Sequence, residues 1–269
     1  MYKWFLDLNF VLQALIATLF TYLITALGAS VVFFFKKVNK NAMDAMLGFA
    51  GGVMIAASFW SLLAPACEMA NQLSMTPWLV AFIGFFCGGG LLFFFDKIIY
   101  IFEKKKKGSS IENISSRKRC LMLIYSITLH NIPEGMVVGM AFGSVKYGLS
   151  GASTISACIL ALGIGLQNFP EGTSISVPLY REGYSKRKAF FIGQISGFVE
   201  PIAGVIGAVL VMNIVKILPF MLAFAAGAMI YVVVEEIIPE SQSNERKDFM
   251  ALFTLVGFSV MMVLDLALG

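Results

Sequence analysis

The chain has 269 residues, 58% hydrophobic and 13% charged, with a formal net charge of +4 and a mean hydropathy of +0.83. A soluble domain of this length needs far more polar surface, so the composition excludes one and implies a polytopic membrane protein. Twenty basic residues against sixteen acidic ones do not indicate nucleic acid, because their placement along the chain matters more than their sum.

Eight apolar segments of spanning length follow one another, at roughly 8–35, 43–69, 78–102, 120–145, 151–179, 188–212, 217–239 and 249–268. The first run, Phe10 to Phe35, is too long for the apolar core of a signal peptide and is expected to stay as a span. The breaks between segments are polar, charged or marked by proline. The connection 103–119 is basic and Ser-rich and is expected to be a mobile cytoplasmic loop; a lipid-headgroup contact or a regulatory segment is the alternative. Seventeen of the twenty Lys and Arg fall in or beside the connections after segments one, three, five and seven, and only Lys3, Lys146 and Lys216 fall on the other side. By the positive-inside rule both termini face away from the cytoplasm. Cys67, Cys87, Cys120 and Cys158 form no CxxC pair, lie in or beside apolar runs, and read as small hydrophobes.

The chain repeats itself. Phe49-Ala-Gly-Gly-Val-Met-Ile in segment two resembles Phe224-Ala-Ala-Gly-Ala-Met-Ile in segment seven, and Gly88 before Asp96 matches Gly257 before Asp265. Segments 1–3 and 6–8 therefore read as inverted repeats around a central pair, segments 4 and 5, in a 3+2+3 arrangement of transmembrane helices. Asp96 and Asp265, near helix ends, read as hydrated or ion-paired termini.

The central pair carries a second repeat: His130-Asn131-Ile132-Pro133-Glu134-Gly135 and Gln167-Asn168-Phe169-Pro170-Glu171-Gly172. An acid at mid-bilayer costs about 2.5–3.5 kcal/mol on insertion scales, so two in one repeated motif imply a ligand that neutralises them. Residues four apart share a helix face at about 6 Å, which pairs His130 with Glu134 and Gln167 with Glu171. Asn131 and Asn168 flank those faces. Imidazole, carboxylate and amide oxygen together are a metal-ligating set without sulfur. Pro133 and Pro170 deprive the Leu129 and Leu166 carbonyls of their helical partners, and Gly135 and Gly172 allow close approach of a helix or ligand. Glu200, before Pro201, is a third acid in an apolar run. Glu235 and Glu236 lie near the cytoplasmic end of segment seven, as an exit station or a hydrated pair, and Glu68 lies at the outer mouth.

These motifs, with Gly193-Gln-Ile-Ser-Gly-Phe-Val-Glu200-Pro201, resemble the ZIP (Zrt/Irt-like) metal transporters over nearly the whole chain, and the GufA-like prokaryotic branch most of all. The resemblance implies uptake of zinc and related divalent ions toward the cytoplasm through a binuclear site. One metal would take His130, Glu134, Gln167 and Glu171, with Met54 as a soft additional ligand or an ordinary core residue. The other would take Asn131, Asn168 and Glu200, with Glu134 and Glu171 bridging. The resemblance also implies an entrance near Ser61 and Glu68, an exit near Glu235 and Glu236, a homodimer, and movement of one helix bundle against another. The sequence departs from the family pattern at Gln167, where many members have histidine, and at Asn168, where some have an acid. The loop 103–119 holds no histidine cluster; His130 is the only histidine in the chain.

The donor set suits Zn²⁺, Cd²⁺, Fe²⁺ and Mn²⁺ and disfavours Cu⁺. The expectation is a zinc transporter of the cell membrane, with the ion as cargo, the bilayer as solvent, and neither a prosthetic group nor a nucleic-acid partner. A proton-coupled carrier of an organic solute is the alternative. A membrane metallohydrolase is the remote one, because no HExxH is present.

Overall fold

The computed structural model describes residues 2–34, 39–107, 116–148, 152–181 and 183–268, and these are helical almost throughout, with no strand among them. A short helix, α1 (Tyr2–Leu6), precedes α2 (Phe10–Phe34). Then come α3 (Lys40–Ala57) and α4 (Ala64–Gln72), one continuous rod with a π-helical turn at Ser58–Leu63. Single helices α5 (Pro77–Lys107), α6 (Ser116–Ser144) and α7 (Thr154–Arg181) follow. The chain continues through α8 (Lys186–Gly197) and α9 (Val199–Asn213) to α10 (Leu218–Val232), a second π turn at Val233–Ile237, α11 (Ile238–Ser241) and α12 (Lys247–Leu268). The helical ends of α5 and α6 reach into the expected loop 103–119; residues 108–115 of that loop lie outside the described residues.

Local chemistry sets the boundaries. The Asn39 side chain accepts the backbone N–H of Asn41 at 3.0 Å and starts α3, and Ser185 accepts from Lys188 N and starts α8. Pro77 opens α5, where a missing N–H costs nothing. The expected single helix over 188–212 is broken at Phe198. Pro201 has no N–H to offer the Gly197 carbonyl, so the chain tightens into a Phe198 N to Ile195 O bond before α9 begins.

Both π turns have a related cause. In each, an N–H bonds the carbonyl five residues back, Ala64 to Phe59 and Ile238 to Val233. Each is followed by a proline, Pro65 or Pro239, whose ring crowds the carbonyl four residues before it, that of Ser61 or Glu235. The two turns stand at the same offset from each other as Phe49 does from Phe224.

Among the described residues, six helical rods are long and apolar enough to cross a membrane: Phe10–Phe34, Lys40–Gln72, Pro77–Phe95, Lys186–Asn213, Leu218–Ser241 and Lys247–Ala267. The outside of the molecule is apolar, and polar side chains are buried within an otherwise apolar inside. Trp78 and Leu266 are 70% and 66% exposed, whereas Gln167, Asn168 and Glu200 are wholly buried. That inversion fits a surrounding solvent of lipid. The helices fall into two sets. In the first, α2 packs chiefly on α7 and α6 on α9, with α8 against α2; in the second, α3 packs on α12 and α5 on α10. The sets meet where α3 lies on α7 and α10 on α6.

Candidate metal site

The two repeated motifs lie inside uninterrupted helices, Pro133 within α6 and Pro170 within α7. Their glycines work as contact points. A Cβ at Gly135 would stand 2.6 Å from the Cα of Glu200 on α9, and one at Gly172 would stand 2.9 Å from the Ala29 nitrogen of α2. Both are distances that real Cβ atoms do not reach, so glycine is required for α6 to lie on α9 and α7 on α2 at this spacing.

That packing brings the motif side chains of α6 and α7 together. Glu134 and Glu171 are 1% and 3% exposed, and Gln167 donates its Nε2–H to Glu134 Oε1 at 2.5 Å. Glu134 Oε2, Glu171 Oε2 and Gln167 Oε1 are buried with no hydrogen-bond partner among the described residues. A buried acceptor left alone costs about 1–3 kcal/mol, more for a charged one, so three in one place are unusual for a purely structural core. Glu134 is within electrostatic reach of Glu171 and Glu200, and Glu171 of Glu200 and Glu236. The side chain of His130, the fourth expected member of this group, lies outside the described residues. Among the described residues, no three of His, Cys, Asp and Glu stand close enough together to hold a metal ion.

The second expected group is arranged differently. Asn131 donates to the Ser196 carbonyl at 3.0 Å and leaves its own Oδ1 without a partner among the described residues. Asn168 turns its amide N–H to both oxygens of Glu200, at 2.9 Å each. Glu200 is also held by the Thr21 hydroxyl and by Thr25 at 3.4 Å, both from α2. Neither threonine belongs to a motif. Their only sequence signal is the spacing Thr18, Thr21, Thr25, which lines one face of α2 with hydroxyls. Met54 is 1% exposed and part of the main apolar core, on the helix of the second set that meets α7.

The residues expected at entrance and exit lie on other elements, with Glu236 within electrostatic reach of Glu171. Ser61, inside the first π turn, donates to Asp265 Oδ1 of α12 at 2.7 Å. Ser61, Asp265 and the exposed Glu68 line a cavity of about 250 Å³ that also takes in Ser144 and Ser156, so it lies between the two helix sets. Asp265, read from the sequence as a helix-end residue, is therefore a half-buried wall of that cavity, and Pro65, four residues after Ser61, is the signal that marked the spot. Glu235 and Glu236 occupy the second π turn, Glu235 exposed and Glu236 half-buried.

Comparison with known proteins identifies the family. The family model described as ZIP Zinc transporter matches residues 8–119 and 102–265. Zinc transporter ZIP11 of Xenopus tropicalis is 38% identical over 96% of this chain and 98% of its own length. Zinc transporter ZIPB of Bordetella bronchiseptica is 31% identical over 91% of this chain and 78% of its own, and zinc transporter GufA of Myxococcus xanthus is 31% identical over 95% and 98%. With membrane-length helices, a buried paired motif and matches across nearly its full length, the chain belongs to the ZIP zinc transporter family.

Proposed function

We propose that this multi-pass membrane protein carries Zn²⁺ into the cytoplasm through a site between α6 and α7. The observation that carries the reading is the trio of buried oxygens, Glu134 Oε2, Glu171 Oε2 and Gln167 Oε1, left without partners among the described residues. A divalent cation entering the bilayer must exchange its water for protein donors. Two carboxylates supply compensating charge and Gln167 a neutral oxygen. His130, one helical turn before Glu134, completes the set as its nitrogen donor, and Met54 approaches from α3. Asn131, Asn168 and Glu200 form the second, weaker station beside it, with Glu134 and Glu171 shared. In this reading Gln167 has two tasks at once: its amide hydrogens orient Glu134 while its carbonyl faces the ion.

The path runs from the cavity of Ser61, Glu68 and Asp265 to Glu171, then past Glu236 and Glu235. The electrostatic contact of Glu171 with Glu236 supports that direction of exit. Helices α6 and α7 join the six apolar rods to make eight spans, with helices 1–3 and 6–8 as inverted repeats; the matching π turns support that repeat. Both termini face away from the cytoplasm, the protein sits in the cell membrane as a homodimer, and Cd²⁺, Fe²⁺ and Mn²⁺ are the other candidate cargoes.

Zinc uptake into sealed vesicles tests the reading. His130→Ala or Glu171→Ala should lower uptake on the order of 100-fold with the protein still inserted. Wild-type uptake by the double variant would remove the site. Protons compete with the metal for imidazole and carboxylate, so uptake should fall as the medium is acidified, and a profile flat with pH would count against coordination by these groups.

A further inference from the structure

Among the three central acids, Glu200 is the one with donors at both of its oxygens. A carboxylate offers about four lone-pair sites. Thr21 reaches Oε2, Thr25 reaches Oε1, and the Asn168 amide shares an N–H between the two oxygens. Glu134 and Glu171 each keep an oxygen with no such partner among the described residues. Each threonine also has a second acceptor on its own helix. Thr21 Oγ1 lies 3.0 Å from the Thr18 carbonyl, and Thr25 Oγ1 lies 3.3 Å from the Thr21 carbonyl. A hydroxyl has one hydrogen and can serve only one acceptor at a time.

We propose that Thr21 and Thr25 are positioning residues that compete with a metal ion for Glu200, so that the transport site takes one zinc tightly and a second only by displacing their hydroxyls. This rests on the reading of Glu134, Gln167 and Glu171 as the primary zinc site. When a cation takes Glu200, each hydroxyl rotates to the carbonyl one turn back along α2, and the Asn168 amide keeps the Thr21 carbonyl, 3.4 Å away, as an acceptor. The Asn168 N–H reinforces the competition, while its Oδ1, without a partner among the described residues, stays open to the ion. An acid at that position would repel Glu200 and invite a cation, whereas the amide donates to it. The threonines thereby set the order of filling and keep the second ion easy to release.

Zinc binding to the purified full-length protein in lipid nanodiscs, followed by equilibrium dialysis, tests this. The wild type is expected to bind one zinc per chain tightly and a second weakly. Thr21→Val/Thr25→Val keeps the side-chain shape without the hydroxyls. It should tighten the second zinc on the order of tenfold or more, the scale of a hydrogen bond to a charged group. Thr21→Ser/Thr25→Ser retains both hydroxyls and should bind like the wild type. An unchanged isotherm in the valine variant, or a serine variant that follows it, overturns the proposal. A purely structural role would lower the melting temperature of the metal-free valine variant and leave its isotherm unchanged, which also overturns it. If the double variant does not fold, Thr25→Val, which removes the longer bond, must shift the second zinc in the same direction, and no shift refutes the idea. Glu171→Ala separates the two readings. Loss of the first zinc there with no threonine effect sinks only this inference; an isotherm unaffected by Glu171→Ala sinks the primary site itself.

Discussion

The two helix sets share an architecture and differ in what they bury. Both are built from helices paired at close range by small residues. The set of α2, α6, α7, α8 and α9 encloses Thr18, Thr21, Thr25, Asn131, Glu134, Gln167, Asn168, Glu171 and Glu200, all nearly or wholly shielded. The set of α3, α4, α5, α10, α11 and α12 buries Asp44, Ser58, Ser241 and Asn244, and otherwise mostly Ala, Val, Leu and Met. Its polar cluster ties one end together: Asn244 donates to Asp44 Oδ2 at 2.7 Å and to Asn41 at 2.8 Å, and Ser241 donates to the Asp44 carbonyl, while Asp44 Oδ1 and, at a separate place, Asp265 Oδ2 have no partner among the described residues. One set thus gathers most of its open acceptors on the motif residues Asn131, Glu134, Gln167, Asn168 and Glu171, and the other has single ones, on Asp44 and Asp265, at separate places. Polarity inside a membrane protein guides best to function where several unanswered groups cluster.

That contrast can be broken by experiment. The largest effect is expected in the first set. Zinc at about 100 times its dissociation constant should stabilise the folded wild type by about 2.7 kcal/mol, and Glu171→Ala should remove that gain. Equal thermal shifts in the two proteins would place the ion elsewhere. In the second set, Asn244→Ala leaves the buried Asp44 short of a donor and should cost about 1–3 kcal/mol of metal-free stability. Its zinc-induced shift should match the wild type, and a loss of zinc response there would dissolve the division between the two sets. Smallest is Ser61→Ala at their junction. It removes one hydrogen bond to Asp265, worth about 0.5–1.5 kcal/mol, and should raise the half-saturating zinc concentration less than tenfold with maximal uptake kept. A fall in maximal uptake would move Ser61 from the approach to the central site.

The rods themselves could be read from the sequence to within a few residues, because apolar runs bounded by Lys clusters or by Pro have little freedom over where they start and stop. The first rod was expected over 8–35 and runs Phe10–Phe34; the last was expected over 249–268 and runs Lys247–Leu268. The central motifs were equally legible, since one pattern occurs twice. What could not be read depends on partners distant in the chain. Thr21 looks like any threonine in an apolar helix until α9 delivers Glu200 beside it. Asp265 looks like a helix end until the first π turn aims Ser61 at it. The π turns and the Phe198 break were written in Pro65, Pro239 and Pro201, but a proline in a membrane helix does not announce whether the chain will kink, widen or restart around it.

Helix α7 has length enough to cross a bilayer, yet it is absent from the six rods apolar enough to do so, because Gln167, Asn168 and Glu171 dilute its hydrophobicity. It is also sheathed by α2, α3, α6 and α8. If it spans, it is a poor candidate for leaving the translocon alone. During synthesis it emerges after α2, α3 and α6 and before α8, so its early companions are already in lipid and its last arrives late. Assembly of the transporter is then tied to order of birth, and a substitution that spoils the seat α2 provides at Ala29 would be felt first as a failure of biogenesis.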